Sequence, residues 1–126
     1  MTEIPDRSIV FETLDYSDTP VALSLDTWQV KAGNGEPGNH PEVRDYLEEL
    51  RTAIERPDYV FQSTYDPRSH IFYRLSAGRA SFAGKHLVVV IKYINEPTGI
   101  QGYVSTLYLS RTVYARGVQL WPPTEI

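Results

Sequence analysis

The chain has no cysteine. That excludes a disulfide framework, a thiolate nucleophile and any zinc–cysteine centre. No apolar run approaches the about 20 residues that a bilayer-spanning helix needs. Met1–Asp6 lacks the basic and apolar regions of a signal peptide, so a cytoplasmic address without a membrane partner is expected. The three histidines, His40, His70 and His86, are too widely spread for HExxH or similar ligand spacing, and neither a metal nor another cofactor is expected. A GxxxxGK loop and a Gly-x-Ser-x-Gly elbow are both missing, and Gly33-Asn34-Gly35 lacks the strand and spacing of a dinucleotide fingerprint. Any catalysis must then use His, Lys, Arg and hydroxyl groups, as acid–base or electrostatic chemistry suited to a phosphodiester.

Positive charge is scarce as well as uneven. Residues 1–58 hold 13 Asp/Glu against 5 Lys/Arg, whereas residues 59–126 hold 3 against 7. A polyanion is steered toward the second half and repelled by much of the first. The net charge of −4 argues against extensive duplex binding, which calls for a basic stripe. With 126 residues, 41% of them apolar, the chain suits one domain with a single core. Residues 1–20 read as an N-terminal arm or edge strand, and 21–121 as the body.

Within that body, Val21-Ala22-Leu23-Ser24-Leu25 has the alternation of a short strand. Asp26–Ala32 reads as a short helix capped by Asp26 or Thr27. Gly33–Gly38 is a loop by composition. A main amphipathic helix is predicted from His40 to Pro57. Asn39 or His40 can cap it, with Glu42 placed as in a capping box and Pro41 in the first turn. Its apolar stripe is Val43, Tyr46, Leu47, Leu50, Ala53 and Ile54, and Pro57 ends it. Tyr59–Ser63 and His70–Leu75 flank a turn-rich linker and read as an antiparallel pair. Leu87–Ile94 suggests a central strand, Asn95–Gly99 a turn, and Ile100–Ser110 the returning strand. Arg111–Trp121 is left as an edge strand or closing arm. The predicted fold class is α+β: one main amphipathic helix, plus a short N-terminal one, on an antiparallel sheet of four to five strands.

His40 is the leading chemical candidate, an imidazole at a helix start, where amide groups favour a bound anion. Lys92 interrupts an apolar strand and shares a face with Val88, Val90 and Ile94, so it must reach solvent or meet an anion. Thr106 and Tyr108 alternate onto one face of the next strand, and hydroxyls beside a lysine can bind phosphate or steady an oxyanion. Tyr73 and Arg74 point to opposite faces of their strand. Nine tyrosines supply surface on which bases can stack or a core can pack.

Taken in order, Leu25-Asp26-Thr27-Trp28, His40-Pro41-Glu42-Val43, Ile54–Val60, Phe72-Tyr73-Arg74, Val89-Val90-Ile91-Lys92 and Thr106–Ser110 resemble the phage-type branch of the barnase/EndoU/colicin/RelE-like (BECR) nucleases. The resemblance covers roughly residues 21–121. It implies a curved antiparallel sheet with an RNA-cleaving site in its concavity and the activity of a metal-independent endoribonuclease, toxin or effector. By motif, His40 matches the acid–base histidine, Lys92 the basic strand residue, and Thr106 with Tyr108 the hydroxyl pair. Arg44, Lys31, Tyr73 and Arg74 are the expected phosphate and RNA contacts. Where such proteins show Trp-x-His-Ile, this chain has Trp28-Gln29-Val30-Lys31; Val30 stands in place of a histidine. The alternative is therefore an inactive binding module of that fold, with RNA or a protein such as an antitoxin or host factor as partner. A third reading is a small-ligand binder using the aromatic-rich sheet as a pocket, whose sign is a buried cavity of a few hundred Å³.

Overall fold

The computed structural model describes residues 8–32 and 40–124; the predicted Gly33–Gly38 loop and the Asn39 cap lie outside them. Seven strands form one sheet: β1 (Ile9–Leu14), β2 (Pro20–Ser24), β3 (Tyr59–Gln62), β4 (Ser69–Arg74), β5 (His86–Glu96), β6 (Gly99–Ser110) and β7 (Gln119–Trp121). Two helices, α1 (Leu25–Ala32) and α2 (Leu47–Glu55), pack on one face. The sheet order is β1-β2-β6-β5-β4-β3-β7. Every pairing is antiparallel except β2 with β6, which is parallel and confined to Val21–Gly102 and Ala22–Tyr103. Among the described residues no helix is long and apolar enough to cross a membrane.

The α+β class holds, but one main helix on four to five antiparallel strands does not. The molecule is mostly sheet, with seven strands, one parallel junction and two short helices. The helix predicted from His40 starts only at Leu47, because Pro41–Val43 forms a separate 3₁₀ turn. Val43 and Tyr46 are buried, and a spacing of three fits a 3₁₀ turn as well as an α-helix. Arg79 holds the break. It donates from Nη2 to the Asp45 carbonyl at 2.8 Å, lies 4.3 Å above the Tyr46 ring, and pairs with Glu49. The helical ladder resumes where Leu50 N–H donates to the Tyr46 carbonyl. The N-cap of α1 is Ser24, whose Oγ accepts the Thr27 N–H at 3.1 Å.

β5 is the spine, with Leu87, Val88 and Val89 fully buried between two cores. Toward the helices, Leu87, Val89 and Ile91 join Phe72, Val60, Leu107, Leu50 and Ile54. On the other face Val88 joins Phe61 and Tyr73 in a smaller cluster, with Tyr108 and Val113 against it. The 111–118 segment thus folds back over part of the sheet before β7 pairs with β3. The sheet also curls around its helices. Tyr16, in the β1–β2 turn, sets its ring 5.4 Å from Trp121 of β7, the opposite end of the strand order.

Gly102 makes the parallel junction physically allowable. It is in register with both Val21 and Tyr93, and a Cβ there would lie 2.9–3.0 Å from Tyr93, Ile91 and Val21 side-chain atoms. Three packed neighbours cannot all retreat. Gly102→Ala is expected to cost about 1–3 kcal/mol, read as a lower urea midpoint with an unchanged slope.

Candidate functional site

β2 leaves β6 after two paired residues, and the edge of β6 beyond Val104 faces α1 and the 3₁₀ turn instead. The chain returns to this edge through His40, whose N–H donates to the Lys31 carbonyl at 2.7 Å. The His40 ring then lies 5.5 Å from the Tyr108 ring, tilted by 37°, with Nδ1 3.4 Å from a Glu42 carboxylate oxygen. Arg44 Nε donates to the Ala32 carbonyl at 3.3 Å, so its stem follows the same junction. Thr106 shares the face of Tyr108, two residues along β6 and about 7 Å away. His40 and Tyr108 are therefore in ring contact at the β6 edge, with Thr106 two residues along the strand and the Lys31 backbone and Arg44 side chain at the adjoining junction. Burial of the Tyr108 phenol pushes its pKa up, with the Tyr114 phenol adding to this, so at neutral pH it is a hydrogen-bonding hydroxyl and an aromatic face, not an anion.

The other three predicted residues lie elsewhere. Lys92 is in register with Ser69 and Tyr103, whereas Tyr108 is in register with Val88. Four residues of strand separate the two levels, about 13 Å. The Lys92 ammonium instead sits 3.5 Å from Asp66. Tyr73 is 1% exposed, and its hydroxyl donates to the Tyr114 carbonyl and accepts the Tyr114 N–H, so it anchors the returning segment. Arg74 donates to the Arg56 carbonyl at 2.9 Å and lies 3.8 Å from Asp58, at the far end of β4. Tyr73 and Arg74 do leave their strand on opposite faces.

A second constellation escaped sequence reading. The β1–β2 turn carries Asp15, only 4% exposed. One carboxylate oxygen accepts the Ser17 N–H at 2.8 Å, the Ser17 hydroxyl at 2.7 Å and the Thr19 N–H at 3.0 Å. The other accepts the Tyr93 hydroxyl at 2.5 Å. Burial, and then the carboxylate holding its proton, raise the Tyr93 pKa far above the ordinary phenol range. The His70 ring lies 4.7 Å from that of Tyr93. Its pKa is lowered by burial, which the Asp15 carboxylate only partly opposes. Local sequence gave one usable signal: Asp15-Tyr16-Ser17-Asp18-Thr19 has the composition of an Asx turn between strands. Nothing local joined Asp15 to a tyrosine 78 residues away.

No family model, curated protein or solved structure matches the chain.

Two outcomes follow for the buried turn. Asp15→Ala leaves two backbone N–H groups and a buried phenol without their acceptor, and should cost about 2–4 kcal/mol in urea unfolding. For His70, the unfolded chain takes up its proton near pH 6.5 while the folded imidazole still resists it. Stability must therefore fall as pH drops below about 6.5 toward the lower folded value. The loss in Tm between about pH 7.5 and 5.5 should be smaller in His70→Gln than in the parent.

Proposed function

We propose that this chain is a non-catalytic module of BECR type that binds single-stranded RNA along the unpaired edge of β6. The observation that carries the reading is the ring contact between His40 and Tyr108 at 5.5 Å, beside the backbone junction that brings in Lys31 and Arg44. A tyrosine face offers sequence-tolerant stacking for a base. The adjoining Lys31 and Arg44 suit the phosphates on either side of that base. Strand edge and 3₁₀ turn hold these groups on backbone, which limits the ordering that binding would require.

Binding is favoured over cleavage for one geometric reason. In-line attack on a phosphodiester calls for a base and an acid within hydrogen-bond reach of one phosphate. His40 can serve as one of them. Lys92 lies about 13 Å along the sheet, ion-paired with Asp66, and Val30 occupies the place where the resembling proteins carry a histidine.

The test is fluorescence anisotropy with a labelled single-stranded RNA, followed by a denaturing gel of the same mixture. Saturable binding to intact RNA is expected. Tyr108→Ala should weaken it by about 1–3 kcal/mol, and Lys31→Ala with Arg44→Ala should each flatten the salt dependence by about one counterion. Cleavage that disappears in His40→Ala would reinstate the ribonuclease reading. No binding at low salt would remove both.

A further inference from the structure

Between the β1–β2 turn and the β5–β6 hairpin lies a cleft of about 580 Å³, within the range of small-molecule sites. It is separate from the β6 edge. Three aromatic rings line it, Tyr16, His70 and Tyr93, and the apolar wall is completed by Ile94 and Ile100. The turn that roofs it is fixed, because Asp15 binds two of its own backbone amides on one side and Tyr93 on the other. The Tyr16 ring is wedged edge-on against Phe72 at 5.7 Å and against Trp121. The aromatic walls are therefore set in place before any ligand arrives.

The charged groups on this cleft are already engaged. Asp15 accepts four hydrogen bonds from the turn and from Tyr93. Arg68 lies 3.4 Å from Asp66, whose carboxyl it holds below the usual carboxylate range, first through its backbone N–H. An anionic ligand would face the Asp15 carboxylate and find Arg68 already paired, and a cationic one would have to compete with four donors for a carboxylate that is only 4% exposed. Uncharged polar groups, by contrast, remain on offer. Among the described residues neither the His70 ring nitrogens nor the Asn95 amide has a hydrogen-bond partner, and both residues line the cleft. A neutral imidazole supplies one donor and one acceptor, and an amide supplies both kinds. Burial keeps the His70 imidazole in that neutral form at pH 7.

We propose that this cleft binds a flat, uncharged heterocycle of the nucleoside class, its ring among Tyr16, His70 and Tyr93 and its polar edge toward His70 and Asn95. Aromatic walls select a planar ring. The paired donor and acceptor select a heterocycle over a hydrocarbon, since a purely apolar guest would leave His70 and Asn95 desolvated and unbonded.

The test is a titration of the full chain, isotope-labelled at isoleucine methyls, with adenosine, guanosine and uridine in turn, and with adenosine monophosphate as the charged comparator. At least one nucleoside should give saturable shifts of the Ile94 and Ile100 methyls. The monophosphate should bind about tenfold more weakly than adenosine if adenosine is the ligand. His70→Phe keeps a ring but removes the donor and acceptor; it and Asn95→Ala should each weaken binding by about tenfold, with unchanged amide spectra elsewhere confirming the fold. No methyl shift with any of the three nucleosides at millimolar concentration overturns the proposal. So does equal binding to His70→Phe and the parent. A monophosphate that binds more tightly than its nucleoside would refute the charge argument and with it the ligand class.

Discussion

β2 pairs with β6 at only two residues, and it can approach so closely because Gly102 has no side chain. That close approach turns a meander of antiparallel strands into a sheet wrapped around its helices. The same glycine lies opposite Tyr93 on β5, whose phenol reaches into the β1–β2 turn and holds Asp15. Strand approach and turn anchoring are therefore one packing problem, solved at one backbone position. Since neighbours in a close-packed interior cannot shift independently, the two candidate sites inherit their geometry from it.

On one side of the junction β6 runs on with β5 on one edge and no strand on the other, and that outer edge is met by α1 and the 3₁₀ turn. This edge tilts an imidazole against a tyrosine ring next to the junction that carries Lys31 and Arg44, a combination suited to a flexible polyanion with bases. On the other side the β1–β2 turn leans over the sheet end until Tyr16 meets Trp121, leaving an aromatic cleft whose charged groups are already engaged. One site is a strand edge with cationic residues at its margin, the other an aromatic cleft under a turn. Their ligands should differ in kind for that reason.

Much of the secondary structure was legible. The β-branched run around Val88–Ile91 has the composition of a strand buried on both faces, and β5 is one. The turn expected within Asn95–Gly99 closes at Pro97-Thr98, between the paired Glu96 and Gly99, and it and the strands around it follow from turn chemistry and alternation. The main helix was over-read because Val43 and Tyr46 repeat at three, a spacing that cannot distinguish a 3₁₀ turn from an α-helix. The strand count was under-read because the two ends, readable as arm or edge strand, are both strands: β1 pairs with β2 across a local turn, and β7 pairs with β3 far back along the chain. At the candidate sites, His40 and Tyr108 do meet, but Lys92, four residues from the Tyr108 level, belongs with Asp66.

The amino-acid sequence by itself determined which chemistries this protein can attempt, because residue types and charge totals do not depend on folding. It also determined most helices and strands, since periodicity and turn residues act over a few neighbours. Which side chains share a site was decided only by tertiary structure. Asp15 finds Tyr93 across 78 residues, and Tyr16 finds Trp121 across the whole width of the sheet, through strand register and sheet curl. Both depend on the packing of side chains distant in sequence, and no local pattern encodes them.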